Sequence, residues 1–102
     1  MHKVEFKPII FDAIKKYFFL SCEEAIYHYR NKKSPKDENE FKTIVLDYFI
    51  MRMKSMEQRV SQYERESFRY TLNSFLNDLN NGKQDLINKI NSSYEKVVTQ
   101  TG

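Results

Sequence analysis

Lys36–Asn81, KDENEFKTIVLDYFIMRMKSMEQRVSQYERESFRYTLNSFLNDLNN, is the longest run of the chain without glycine or proline, and apolar residues recur along it every three or four positions. The whole chain of 102 residues holds only two glycines and two prolines, all near apparent helix ends. Pro8 and Pro35 stand where a helix can begin, Gly82 and Gly102 where one can stop. Sheets need turns built on glycine, proline or Asn-Gly chemistry. The one such dipeptide, Asn81-Gly82, is flanked by helical patterns on both sides. The pattern therefore predicts an all-α fold: a compact bundle of three or four helices over about 8–30, 35–61, 67–80 and 83–98. The first two are expected to form an antiparallel hairpin around 31–34.

Each boundary has a local reason. In the first helix Phe11, Ile14, Phe18, Cys22, Ala25 and Tyr29 hold one face. Ser21-Cys22-Glu23-Glu24 resembles a capping box, but the apolar phase runs straight through it, which favours one helix. Ser34 reads as an N-cap and Pro35 as the first helical residue of the second segment, with Asp37, Glu38 and Glu40 complementing the dipole. On a wheel of about 100° per residue, Val45 to Tyr63 cluster together, whereas Phe68, Leu72, Phe75 and Leu79 fall roughly a quarter turn away. One straight helix cannot press both sets on a single partner, so a break is expected between Ser61 and Ser67. Asn80-Asn81-Gly82 predicts a left-handed stop, after which Leu86, Ile87, Ile90, Tyr94, Val97 and Val98 line a fourth helix. The pairs Asp12/Lys16, Glu38/Lys42 and Asp85/Lys89 have the spacing of intrahelical ion pairs.

The length suits one domain, residues 1–102. A charged fraction of 30% with 40% hydrophobic residues places the chain outside the disordered and membrane classes. Abundant Lys, Asn and Ile suit an AT-rich genome such as that of a low-GC bacterium or its phages. Asp12, Lys15 and Lys16 interrupt any leader-like apolar segment, so the expected location is the cytoplasm.

The residues of catalysis and metal binding are sparse. The single cysteine, Cys22, excludes an internal disulfide, and its place in the apolar stripe predicts a buried, unreactive thiol. His2 and His28 are the only histidines; Glu24 and His28 share a helical face, but two ligands do not make a metal site. Cys22 and His28 are six apart, about 120° around a helix, which rules out a dyad within it. No arginine precedes either histidine at the spacing used by helical ribonucleases, no paired Glu-x-x-Glu motif offers a magnesium site, and no glycine loop cradles phosphate. The expectation is a protein that is not an enzyme and uses no cofactor and no metal.

Two binding readings remain. Tyr48-Phe49-Ile50-Met51 and Tyr17-Phe18-Phe19-Leu20 are apolar on every side of their helices. Such helices are either central in their own bundle or covered by another chain. The first reading is therefore a small protein-binding adaptor, inhibitor or regulator that docks onto a partner or onto a second copy as a dimer, through Phe19, Leu20, Ile50 and Met51. The alternative is a nucleic-acid-binding regulator that contacts phosphates through Lys32, Lys33, Arg52 and Arg59. Against it, the net charge is only +3, and the second helix opens with acids that would face the phosphates.

Overall fold

The computed structural model describes residues 3–101 of the chain; His2 and the expected stop at Gly102 lie outside the described residues. Four α-helices occur among the described residues: α1 (Pro8–His28), α2 (Glu38–Arg59), α3 (Arg65–Asn80) and α4 (Gln84–Thr101). A single 3-10 turn, Gln62–Glu64, leads into α3, and no strand occurs among these residues.

Helix α1 is the common neighbour, packing against each of the other three. Helix α2 runs antiparallel to it: Tyr17 meets Arg52, Phe18 meets Phe49, His28 meets Tyr48 and, just past the helix end, Tyr29 meets Phe41, one index rising as the other falls. Helices α3 and α4 both run in the sense of α1, one after the other. Phe75 of α3 reaches Phe11, Asp85 at the start of α4 binds Lys15, and Gln100 near its end donates to the Ile26 carbonyl. The third rod of the bundle is thus broken in two. At 1.5 Å per residue its halves total about 51 Å, which accounts for overall dimensions of 56 × 25 × 18 Å.

Three phenylalanines tie the rods together. Phe18, Phe49 and Phe75, from α1, α2 and α3, form a triangle with centroid separations of 5.4, 5.4 and 5.5 Å, all three rings sealed from solvent. A second aromatic group, Tyr29, Phe41 and Tyr94, closes the far end, where α4 meets α1 and α2. At the near end, residues 3–7 lie extended along α3. The Glu5 and Lys7 N–H groups, on one side of the extended chain, donate to Ser67 Oγ and Thr71 Oγ1 at 3.1 and 3.0 Å.

The boundaries follow the expected chemistry with three adjustments. Pro8 is indeed the first residue of α1, and the helix passes through Ser21, whose hydroxyl donates to the Tyr17 carbonyl four residues back. The second helix, however, begins three residues later than Ser34-Pro35 implied. Its cap is Asp37, whose carboxylate accepts from the Glu40 N–H at 2.9 Å, while Glu40 accepts from the Lys36 N–H and the Tyr29 hydroxyl. Asp37 thus caps the helix while Glu40 reaches back past it to Lys36, a variant of the capping box, and Pro35 is a buried residue of the loop before it. The break after α2 falls at Val60 and Ser61, both extended, one residue ahead of the expected interval. This moves Tyr63 out of the α2 stripe into the exposed 3-10 turn. The stop at Gly82 is a Schellman motif: Gly82 has φ of 72°, its N–H donates to Leu79, and Lys83 N–H donates to Asp78.

The third adjustment concerns charge. Asp85 and Lys89 do not pair with each other; Lys15 binds Asp85 at 2.5 Å and Lys89 binds Glu23 at 2.6 Å, both across the α1–α4 seam. Asp12/Lys16 and Glu38/Lys42 likewise form no ion pair. An exposed intrahelical pair is worth only a few tenths of a kcal/mol, and the crossing lysines gain more, because both ammonium groups also sit over the Phe19 ring, at 5.9 and 5.7 Å.

Three substitutions test this account by urea denaturation. Phe75→Ala removes one corner of the triangle and is expected to cost about 3–5 kcal/mol, whereas Tyr70→Ala, half-exposed on the same helix, is expected to cost less than about 0.5 kcal/mol. Asp37→Ala is expected to cost about 1 kcal/mol through the lost cap.

Candidate functional site

Helices α2 and α3 face each other without closing. Between them runs a groove of about 380 Å³, lined by Leu46, Phe49, Ile50 and Met53 of α2 and by Leu72, Leu76 and Leu79 of α3. Its origin lies in two apolar rows on each helix. On α3, Phe68, Thr71, Phe75 and Leu79 are buried and face inward, while Leu72 and Leu76 stand alongside them at the next helical positions. On α2, Phe41, Val45, Phe49 and Met53 are buried, and Leu46 and Ile50 form the second row. Phe49 belongs to both sets: it is a corner of the aromatic triangle and part of the groove lining. Lys42, Lys54, Glu57 and Asn80 complete the rim. Glu57 is engaged by Arg69 Nε at 2.5 Å.

The four residues predicted for a protein interface do not share one surface. Ile50 lies in the α2/α3 groove, 49% exposed. Met51, 67% exposed, lies beside His28, Ile44 and Tyr48 on the outer α1–α2 face. Phe19 and Leu20 border a shallow depression between α1 and α4. Phe19 is half-buried beneath Lys15 and Lys89, and Leu20 is 38% exposed at its edge. The all-round apolar character of α1 is accounted for by its central place in the bundle, whereas α2 keeps Ile50 and Met51 in solvent.

The basic residues are also dispersed. Arg52 directs Nε and Nη2 at a single oxygen of Glu24 and lies over the Tyr17 ring. Arg59 ends α2 next to Arg52, on a depression shared with Ser55 and Met56. Lys32 and Lys33 sit in the loop before the opposite end of α2, a helix of 22 residues, or about 33 Å. Glu24 and His28, which share a helical face, do not pair: Glu24 is taken by Arg52, and His28 Nδ1 lies 3.2 Å from the Tyr48 hydroxyl.

Cys22 is sealed in the α1–α4 seam. Burial pushes its thiol from the ordinary 9.0 up to about 12, with Lys89 and Ser93 opposing the shift only in part. Tyr29 is likewise raised from 10.0 to about 12, by burial first and by the neighbouring Glu40 second. No cluster of three or more histidine, cysteine or acidic side chains able to hold a metal ion occurs among the described residues. No helix among them is long and apolar enough to cross a membrane. Compared with protein-family models, curated proteins and solved structures, the chain matches none.

The sequence reading missed Leu46, Leu72, Leu76 and Leu79 as groove residues. The signal was present in the spacing: 46 and 50, and 72 and 76, repeat as i, i+4 beside the core rows, which they rejoin at 53 and 79. Two adjacent rows per helix are more than a single seam consumes.

The raised thiol and phenol fix an alkaline response. Both folded values lie above the unfolded ones, so their stabilising effect is complete below about pH 9 and is lost as pH rises toward 12. The native protein at pH 8 is expected to leave Cys22 unlabelled by a thiol reagent, with full labelling in denaturant. Unfolding free energy is expected to fall between pH 9 and pH 12, and less steeply in Cys22→Ala.

Proposed function

We propose that this protein is a small non-catalytic regulator that works by binding another protein, and that the α2/α3 groove is where the partner docks. The observation that carries this reading is the groove itself: Ile50 is exposed and Leu46, Leu72 and Leu76 are only partly buried, over a floor of buried Phe49, Met53 and Leu79. A groove between helices is one of the recurring receptors of a partner's amphipathic helix. Of the four residues expected at an interface, Ile50 is the one that belongs to it.

Three further features favour binding over catalysis. The one thiol is buried, its pKa raised. His28 is occupied by Tyr48 and packed edge-on by Tyr29. The carboxylates Glu23, Glu24, Glu57 and Asp85 are each spent on a lysine or arginine. The nucleic-acid reading is less well supported, because Arg52 is already neutralised by Glu24 and the loop lysines stand a helix length from Arg59.

A photo-crosslinking residue placed at Leu76 tests the reading in cells of the natural host. It is expected to give discrete adducts with a partner protein, suppressed by Ile50→Glu. The same probe at Glu95, exposed on α4 away from the groove, is expected to give none. Equal labelling patterns from the two positions would overturn the proposal.

A further inference from the structure

We infer that the occupant of the α2/α3 groove is an acidic amphipathic helix of about three turns, supplied by a different protein. This inference rests on the docking reading above. The charge around the groove is the first argument. Among the described residues Lys42 and Lys54 stand on its rim without an ion-pair partner, whereas the one rim carboxylate, Glu57, is held by Arg69. Helix α3 adds no charge to the lining, only leucines and Asn80. The apolar channel therefore carries two uncompensated positive charges, and a partner with carboxylates over them gains both attraction and orientation.

The geometry sets the length and the form. Lys42 and Lys54 are twelve residues apart on α2, or about 18 Å along its axis. A helix docked along the groove spans the same distance in about three turns, with acids near its two ends and apolar residues at i, i+3 or i+4, and i+7 between them. Both walls are helices whose backbone groups are satisfied internally, so neither offers an edge for an added strand. The lining is aliphatic apart from Phe49, unlike the aromatic grooves that take polyproline segments.

A second copy of the chain fits poorly. A two-fold pairing of groove on groove, with the helices antiparallel, brings Lys42 of one copy toward Lys54 of the other, like charge against like. The charge pattern thus selects a foreign acidic helix over self-association.

Fluorescence anisotropy on the full chain tests this with synthetic helical peptides of about 16 residues that share one leucine stripe. One carries glutamates at both ends, one carries lysines, and one has the glutamate sequence scrambled. The glutamate peptide is expected to bind about tenfold more tightly than the lysine peptide, with the preference shrinking as salt rises. Lys42→Glu/Lys54→Glu is expected to reverse the preference, and Leu76→Glu to weaken both peptides, with circular dichroism confirming retained helicity. Equal affinity for glutamate and lysine peptides overturns the acidic occupant while leaving groove docking standing. Failure of every peptide, with crosslinking at position 76 intact, overturns the helical form of the partner. Failure of both measurements overturns the docking reading too. Concentration-dependent light scattering abolished by Leu76→Glu would replace the foreign helix with a second copy.

Discussion

Contact among Phe18, Phe49 and Phe75 is the constraint on which the remaining architecture depends. The chain has no tryptophan, eight phenylalanines and seven tyrosines, so its core mass comes from flat rings that must meet edge to face or tilted. Rings from three helices meet there at nearly equal separations, and of the three helices α1 is the one that also packs against α4 as well as both partners in the triangle. Side-chain size at the contact sets how far apart helix axes stand. With Phe49 and Phe75 as the meeting point of α2 and α3, the smaller leucines above them do not fill the remaining width. The groove is thus a consequence of how the core is built, and Phe49 serves as its base.

Much of this was legible in the residues. The scarcity of glycine and proline, the helical periodicity and the Asn81-Gly82 stop predicted the class and nearly every element. The phase change between Val60 and Phe68 required a break, and the chain breaks there because α3 must turn a different face to α1. Capping was harder. Ser34-Pro35 and Asp37-x-x-Glu40 both satisfy the rules for a helix start, and the decision went to the pair whose second member also receives the Tyr29 hydroxyl, a contact made only after α1 has folded back on α2.

The candidate site was less legible for a related reason. Four consecutive apolar residues point in every direction around a helix, and which of those directions is empty depends on where the neighbours lie. Tyr17–Leu20 and Tyr48–Met51 look alike in the sequence. Their fates differ because three helices surround α1, while α2 packs on α1 and α4 and meets α3 at Phe49–Phe75 and Glu57–Arg69 with the groove open between them. Charge followed the same logic. Lysines and arginines of equal prominence in the sequence divide into those spent on the seams, such as Lys15, Lys89 and Arg52, and those left on the groove rim, Lys42 and Lys54.

The seam between α1 and α4 has a consequence for where such a molecule can operate. Its lone sulfur nucleophile sits behind Ser93 and Lys89, protonated well beyond neutral pH and out of reach of oxidants. The fold also owes nothing to a disulfide. Glutathione and thiol oxidoreductases therefore have no purchase on that cysteine, and the packing around it does not depend on a thiol–disulfide balance.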